Sequence, residues 1–177
     1  MSRLIKAVCF DFGDTIADET TEVKNPNGVT LRADLWPGTV TILRQLNAEG
    51  YRLALVADGF IDTYRNVLRQ HGIEDCFAVI SASELAGAEK PSAPVFLSAL
   101  RDLGVDRNEF GRTVMVGNRV DRDVKGSNAL GMISVLLTSS KRYRLQPHDA
   151  TETPDYVISS LADLPALLDQ IEVQLQG

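Results

Sequence analysis

The chain has little cysteine, little histidine, no excess of positive charge and no long apolar run. Its two cysteines, Cys9 and Cys76, stand in apolar surroundings without paired spacing. That excludes a disulfide framework and points to reduced, packed thiols of the kind a cytoplasmic protein keeps. The two histidines, His71 and His148, have no metal-ligand company, so neither is assigned a role. Lys and Arg number 18 against 24 Asp and Glu, a net charge of −6. Such a balance disfavours non-specific attraction to nucleic acid or an anionic membrane. No apolar stretch approaches the ~20 residues that span a bilayer. The opening segment carries Lys6 inside what would be its apolar part, unlike a secretory leader. No internal repeat or low-complexity tract is present, and the 177 residues read as one cytoplasmic domain.

What is present is an ordinary globular composition, 44% hydrophobic and 24% charged. A domain of this size buries roughly 68–70% of its unfolded surface and folds without disulfides or structural metal. Short apolar runs alternate with helical periodicity, the pattern of βαβ units around a parallel sheet. The runs at residues 7–10, 52–57, 77–80, 114–116 and 133–137 predict strands, with a short edge strand at 156–158. Helices are predicted after Pro37-Gly38, through Tyr64 to Leu68, from Pro91 to Leu103 with Ser92 as its cap, up to Leu130, and from Leu161 to Leu175. Between Thr20 and Arg32 two polar, β-branched arms flank Asn25-Pro26-Asn27-Gly28, a hairpin signal. The expected fold is a three-layer, Rossmann-like α/β domain with a small β-hairpin.

In such sheets ligands bind beyond the carboxyl ends of the strands, where strand order reverses. The residues there form a coherent set. Phe10-Asp11-Phe12-Gly13-Asp14-Thr15 puts a carboxylate at a strand tip, Lys90-Pro91 precedes a helix, and Gly117-Asn118-Arg119-Val120-Asp121-Arg122-Asp123 supplies an amide and carboxylates after the fourth strand. A carboxylate nucleophile, a fixed cation and a cluster of oxygen ligands suit Mg²⁺-assisted phosphoryl transfer.

The order and spacing of these motifs, together with Trp36-Pro37-Gly38 and Gly50-Tyr51-Arg52-Leu53-Ala54-Leu55-Val56, resemble the haloacid dehalogenase superfamily from about Lys6 to the last helix. The resemblance implies a phosphatase in which Asp11 becomes an aspartyl-phosphate. It implies Mg²⁺ held by Asp11, the Gly13 carbonyl, Asn118 and Asp123, with Lys90 on the nucleophile and the phosphoryl oxygens and Thr15 supporting the loop. The substrate-binding positions are Ala57, Asp58, Gly59 and Lys90.

Three positions depart from the family pattern. Gly13 stands where the resemblance expects an aspartate that serves as acid and base, Ala57 where it expects a phosphoryl-binding Thr or Ser, and Asn118 where it expects an aspartate. A missing general acid removes about 10²–10⁴ in rate. Asp14 and Asp58 are the nearby carboxylates that would stand in, although both also read as turn residues. The alternative reading is therefore a degenerate member that binds a phosphorylated ligand or a protein partner without turnover. Neither gap between motifs holds a full cap domain, so residues 17–35 are expected to form a small flap over an open site. The implied partner is a phosphorylated substrate, either large or enclosed by a second copy of the chain. Lys141, Arg142 and Arg144 read mainly as a solvated loop, and Arg119 and Arg122 as helix-surface charge.

Overall fold

Residues 3–177 are described by a computed structural model of the protein. Its main element is a six-stranded sheet built from β1 (Ala7–Phe10), β4 (Leu53–Ala57), β5 (Phe77–Ala82), β6 (Thr113–Gly117), β7 (Ile133–Leu137) and β8 (Tyr156–Ile158). The order across the sheet is β5-β4-β1-β6-β7-β8, and every pair is parallel. From β1 the chain moves outward through β4 and β5, returns to the other side of β1 as β6, and moves outward again. The reversal therefore lies between β1 and β6, which opens a crevice at their carboxyl ends.

Both faces of the central strands are covered, which is why these strands are apolar throughout rather than alternating. Val8, Phe10, Leu53, Leu55, Val114 and Val116 point to one side and pack with α1 (Thr39–Ala48), α2 (Ile61–Gln70) and α6 (Leu164–Gln174). Ala7, Cys9, Ala54, Val56 and Met115 point to the other, beneath Val95, Phe96, Ala99 and Leu100 of α4 (Ala93–Asp102). Helix α5 (Lys125–Leu130) lies beside α4, so closely that Gly126 faces the Phe96 ring. A four-residue helix, α3 (Ser83–Ala86), follows β5.

The hairpin forms as β2 (Val23–Lys24) and β3 (Thr30–Arg32), with Gly28 at φ +83° in its turn. It is fastened to α2 and the residue that follows it. Thr30 N–H donates to Thr63 Oγ1 (2.9 Å), Asn66 Nδ2 donates to Thr30 O (3.0 Å), Ala33 N–H donates to Gln70 Oε1 (3.2 Å), and His71 Nε2 lies 2.8 Å from Ala33 O. Among the described residues there is no large cap domain and no helix long and apolar enough to cross a membrane.

Two details differ from expectation. Strand β5 continues two residues further, to Ala82, because it pairs with β4 as far as Ala57↔Ala82. Ser92 stands at the N-cap of α4 and Pro94 in its first turn, as expected, but the Ser92 side chain makes no capping hydrogen bond.

Candidate active site

Asp11 follows β1, Asp58 follows β4 and Asn118 follows β6, so three strand ends deliver their polar residues to one place. Lys90 arrives from the segment between α3 and α4. Its ammonium, almost fully buried, donates to Asp11 Oδ1 at 2.7 Å, Asp123 Oδ1 at 2.7 Å and Val56 O at 2.9 Å. All three donor positions of the ammonium are thereby used, which fixes it between two carboxylates. Burial alone would lower the Lys90 ammonium; the charges of Asp11, Asp123 and Asp58 outweigh it and hold it above its ordinary value. Burial, followed by the Asp11 charge, pushes Asp123 up to about 7 against the opposing pull of Lys90.

Asp123 is placed by its own backbone neighbourhood. Residues Val120–Val124 form a single wide helical turn ahead of α5, and Arg119 N–H closes it on Asp123 Oδ2 at 3.0 Å. Gly117 leaves the space: a Cβ there would lie 2.2 Å from Asp123 Oδ2. Asn118 is buried, and its Oδ1 has no hydrogen-bond partner. An orphaned buried acceptor is costly, and an amide oxygen beside two carboxylates is a donor that a hard cation accepts. Asp11 Oδ2 has no hydrogen bond among the described residues, and each oxygen of Asp123 keeps a second lone pair. No group of three His, Cys, Asp or Glu side chains with metal-binding geometry occurs among the described residues, and the oxygens that would join Asp11 and Asp123 are the Asn118 amide and the Gly13 carbonyl. These residues fit Mg²⁺, which keeps several waters and needs few protein ligands.

A cleft of about 380 Å³ covers this centre, and the hairpin supplies one wall through Lys24, Gly28 and Thr30. Of the residues expected from sequence, Asp11, Gly13, Ala57, Asp58, Gly59, Lys90, Asn118 and Asp123 line it. Asp14 and Thr15 do not. Thr15 is fully buried behind the loop with an unpartnered hydroxyl. Asp14, at φ 52° in the left-handed region that Asp tolerates, turns inward and is bound by Arg142 Nε (2.6 Å) and Ser140 Oγ (3.0 Å). Asp58 has both oxygens engaged, by Lys90 N–H and by Arg122 Nη1, each at 2.9 Å.

The charged loop and helix residues are also more organised than their spacing suggested. Arg122 pairs with Asp58 and Glu89, and Arg119 pairs with Asp121 while stacking 4.3 Å from the Tyr143 ring centroid; both arginines line the cleft. Arg144 pairs with Glu152. Sequence reasoning missed Glu19, Glu22, Lys24, Phe60 and Tyr143, which line the same cleft. No motif marks them.

At the topological reversal of a Rossmann-like parallel α/β sheet there thus lies a pair of carboxylates bridged by one lysine. A family profile of haloacid dehalogenase-like hydrolases matches residues 21–131, and the chain belongs to that family. The chain is 33% identical over 129 residues to a glyceraldehyde 3-phosphate phosphatase of Methanopyrus kandleri, covering 73% of the chain and 54% of that protein. It is 29% identical over 132 residues to a pyrimidine 5′-nucleotidase of Escherichia coli K12, covering 75% and 56%. The chain thus spans about half the length of these relatives. Among solved structures, an HAD phosphatase from Thermococcus onnurineus superposes with a TM-score of 0.74 at 22% identity, covering 92% of this chain and 97% of that one, a likeness of fold. An uncharacterized protein from Listeria monocytogenes serotype 4b gives 0.72 at 26% identity, covering 93% and 98%.

Proposed function

We propose that the chain is a Mg²⁺-dependent phosphatase acting on small phosphoric monoesters or acyl phosphates through an aspartyl-phosphate on Asp11. The observation that carries this reading is the Lys90 ammonium bridging Asp11 and Asp123 at 2.7 Å each beside the unpartnered Asn118 oxygen. Lys90 holds Asp11 Oδ1 and leaves Oδ2 without a hydrogen bond, which orients the carboxylate for attack at phosphorus. The new Asp11 O–P bond forms as the bond to the leaving oxygen breaks. Water then attacks phosphorus, the O–P bond to Asp11 breaks, and the carboxylate is regenerated with release of inorganic phosphate. Asp11, Asn118 and Asp123 would hold Mg²⁺, which when bound supplies positive charge against the phosphoryl oxygens. Arg122 and Arg119 add positive charge at the rim.

The cleft volume suits a metabolite-sized ligand, with the phosphoryl group at Asp11 and the remainder toward Phe60 and the hairpin. Relatives bearing the names of phosphatases for glyceraldehyde 3-phosphate, phosphoserine and N-acylneuraminate 9-phosphate support that substrate class.

The test is phosphate release from p-nitrophenyl phosphate and a panel of phosphorylated metabolites, with and without Mg²⁺, comparing wild type with Asp11→Asn. Turnover that needs Mg²⁺ and is abolished in the variant is expected. Absence of any Asp11-dependent turnover would refute the phosphatase reading and leave a protein that binds its ligand without hydrolysing it.

A further inference from the structure

We propose that Glu19 donates the proton to the leaving oxygen, an inference that rests on the phosphatase reading above. Five carboxylates line the cleft, and four of them are committed. Asp11 is the nucleophile. Asp58 accepts from Lys90 N–H and Arg122, and Asp123 from Lys90 Nζ and Arg119 N–H. Glu22 accepts from Thr30 Oγ1 at 2.9 Å and pairs with Lys24 at 2.8 Å. Glu19 is engaged through Oε2 alone, by Tyr143 Oη at 3.3 Å and more distantly by Arg142 at 3.7 Å. Its Oε1 has no hydrogen bond among the described residues.

That free oxygen occupies a telling place. A Cβ built on Gly13, two residues beyond the nucleophile, would lie 1.9 Å from Glu19 Oε1 and 2.8 Å from its Cδ. Position 13 and the Glu19 carboxyl group therefore compete for one volume, and the glycine is what admits Glu19. The main chain of Glu19 is held there, because its N–H donates to Asp14 Oδ1 at 3.2 Å and Asp14 is in turn clamped by Arg142 and Ser140. Asp14 is thus a positioning residue and Glu19 the group presented to the cleft. As the P–O bond breaks, the leaving oxygen takes the proton from Glu19 and departs as a neutral alcohol. Glu19 regains a proton from the water that attacks the aspartyl-phosphate.

The experiment compares kcat/KM, which reports phosphoryl transfer to Asp11, for an alkyl phosphate and for p-nitrophenyl phosphate. Nitrophenolate leaves without a proton, whereas an alkoxide does not. Glu19→Gln should lose about 10²–10⁴ on the alkyl phosphate and less than about tenfold on the aryl ester. Gly13→Asp combined with Glu19→Ala refills the volume from the other side and should recover the alkyl phosphate rate to within about tenfold of wild type. Equal losses on both substrates in Glu19→Gln, or none on either, would overturn the assignment. If wild type itself shows no Asp11-dependent turnover of either ester, the phosphatase reading fails instead.

Discussion

Replacing Lys90 with Met removes the cation that the half-buried Asp11 and the buried Asp123 share while keeping most of the side chain's volume. Both Oδ1 atoms lie 2.7 Å from Nζ, and the side chains of Asp11 and Asp123 are 13% and 2% exposed. Two oxygens that each lie 2.7 Å from one nitrogen are at most about 5.4 Å apart, and left alone they repel by at least roughly 3 kcal/mol at an effective dielectric constant of about 20. Stranding a buried partner costs about 3–5 kcal/mol, a figure that already includes this repulsion. Urea unfolding in the presence of a chelator is the assay. With a slope near 2 kcal/mol/M, the midpoint should fall by about 1.5–2.5 M. The loss should depend on pH in a defined direction. Asp123, at about 7 with Lys90 present, moves higher without it, above its ordinary 3.8 by a still larger margin. The folded variant then binds a proton that wild type has released, and stability falls with rising pH wherever the folded state binds more protons. The deficit against wild type therefore opens as pH rises through about 7 and grows until Asp123 has ionised in the variant as well. Adding Asp123→Asn should restore most of the loss. A single variant that unfolds within about 1 kcal/mol of wild type near pH 9 would refute the picture of two charged groups sharing one cation.

Gly126→Ala would put a methyl group 2.4 Å from the buried Phe96 ring and 3.0 Å from Pro91 O. It should cost about 1–3 kcal/mol and lower Tm by about 2–12 °C, despite the better helix propensity of alanine; a raised Tm would show that α4 and α5 have room to part. Burial pushes the Cys9 thiol up to about 12 and, together with Asp75, raises Cys76. Neither thiol should react with Ellman's reagent in the folded protein near pH 8, and both should react in guanidinium chloride; rapid labelling of the folded chain would contradict the packing. Glu172 accepts from Leu4 N–H at 2.9 Å and Ile5 N–H at 3.3 Å, tying α6 to the start of β1. Glu172→Leu should destabilise by about 1.5–3 kcal/mol in urea and Glu172→Gln by less; equal stability of all three proteins would remove the tie.

The sheet and the central residues of the cleft were legible because both depend on local signals. Fully apolar runs announce strands covered on two faces; Asp11 and Asp58 stand one step past such a run and Asn118 two. Lys90 was legible as a cation before a helix, although its reach to Val56 O was not. What escaped was determined by contacts across long stretches of chain. Arg142 meets Asp14 from 128 residues away, and that ion pair turns a residue with turn-forming chemistry into a buried clamp. Tyr143 reaches the cleft through the same loop. Glu19 carried no signal of its own, since one glutamate in a polar connection is ordinary; the informative residue was Gly13, whose missing side chain became meaningful once its neighbour was in view. Ser92 shows the opposite case, a capping residue in its expected position whose hydroxyl makes no capping bond.

The fastening of the hairpin to α2 and His71 bears on which acceptor receives the phosphoryl group. A wall secured at four points holds that side of the cleft in one shape. In the phosphatase proposed above, solvent would reach the aspartyl-phosphate past that fixed wall, and so would any other small hydroxyl compound in the medium. Added alcohols should therefore divert part of the phosphoryl group from water in proportion to their concentration, read as alkyl phosphate formed beside inorganic phosphate.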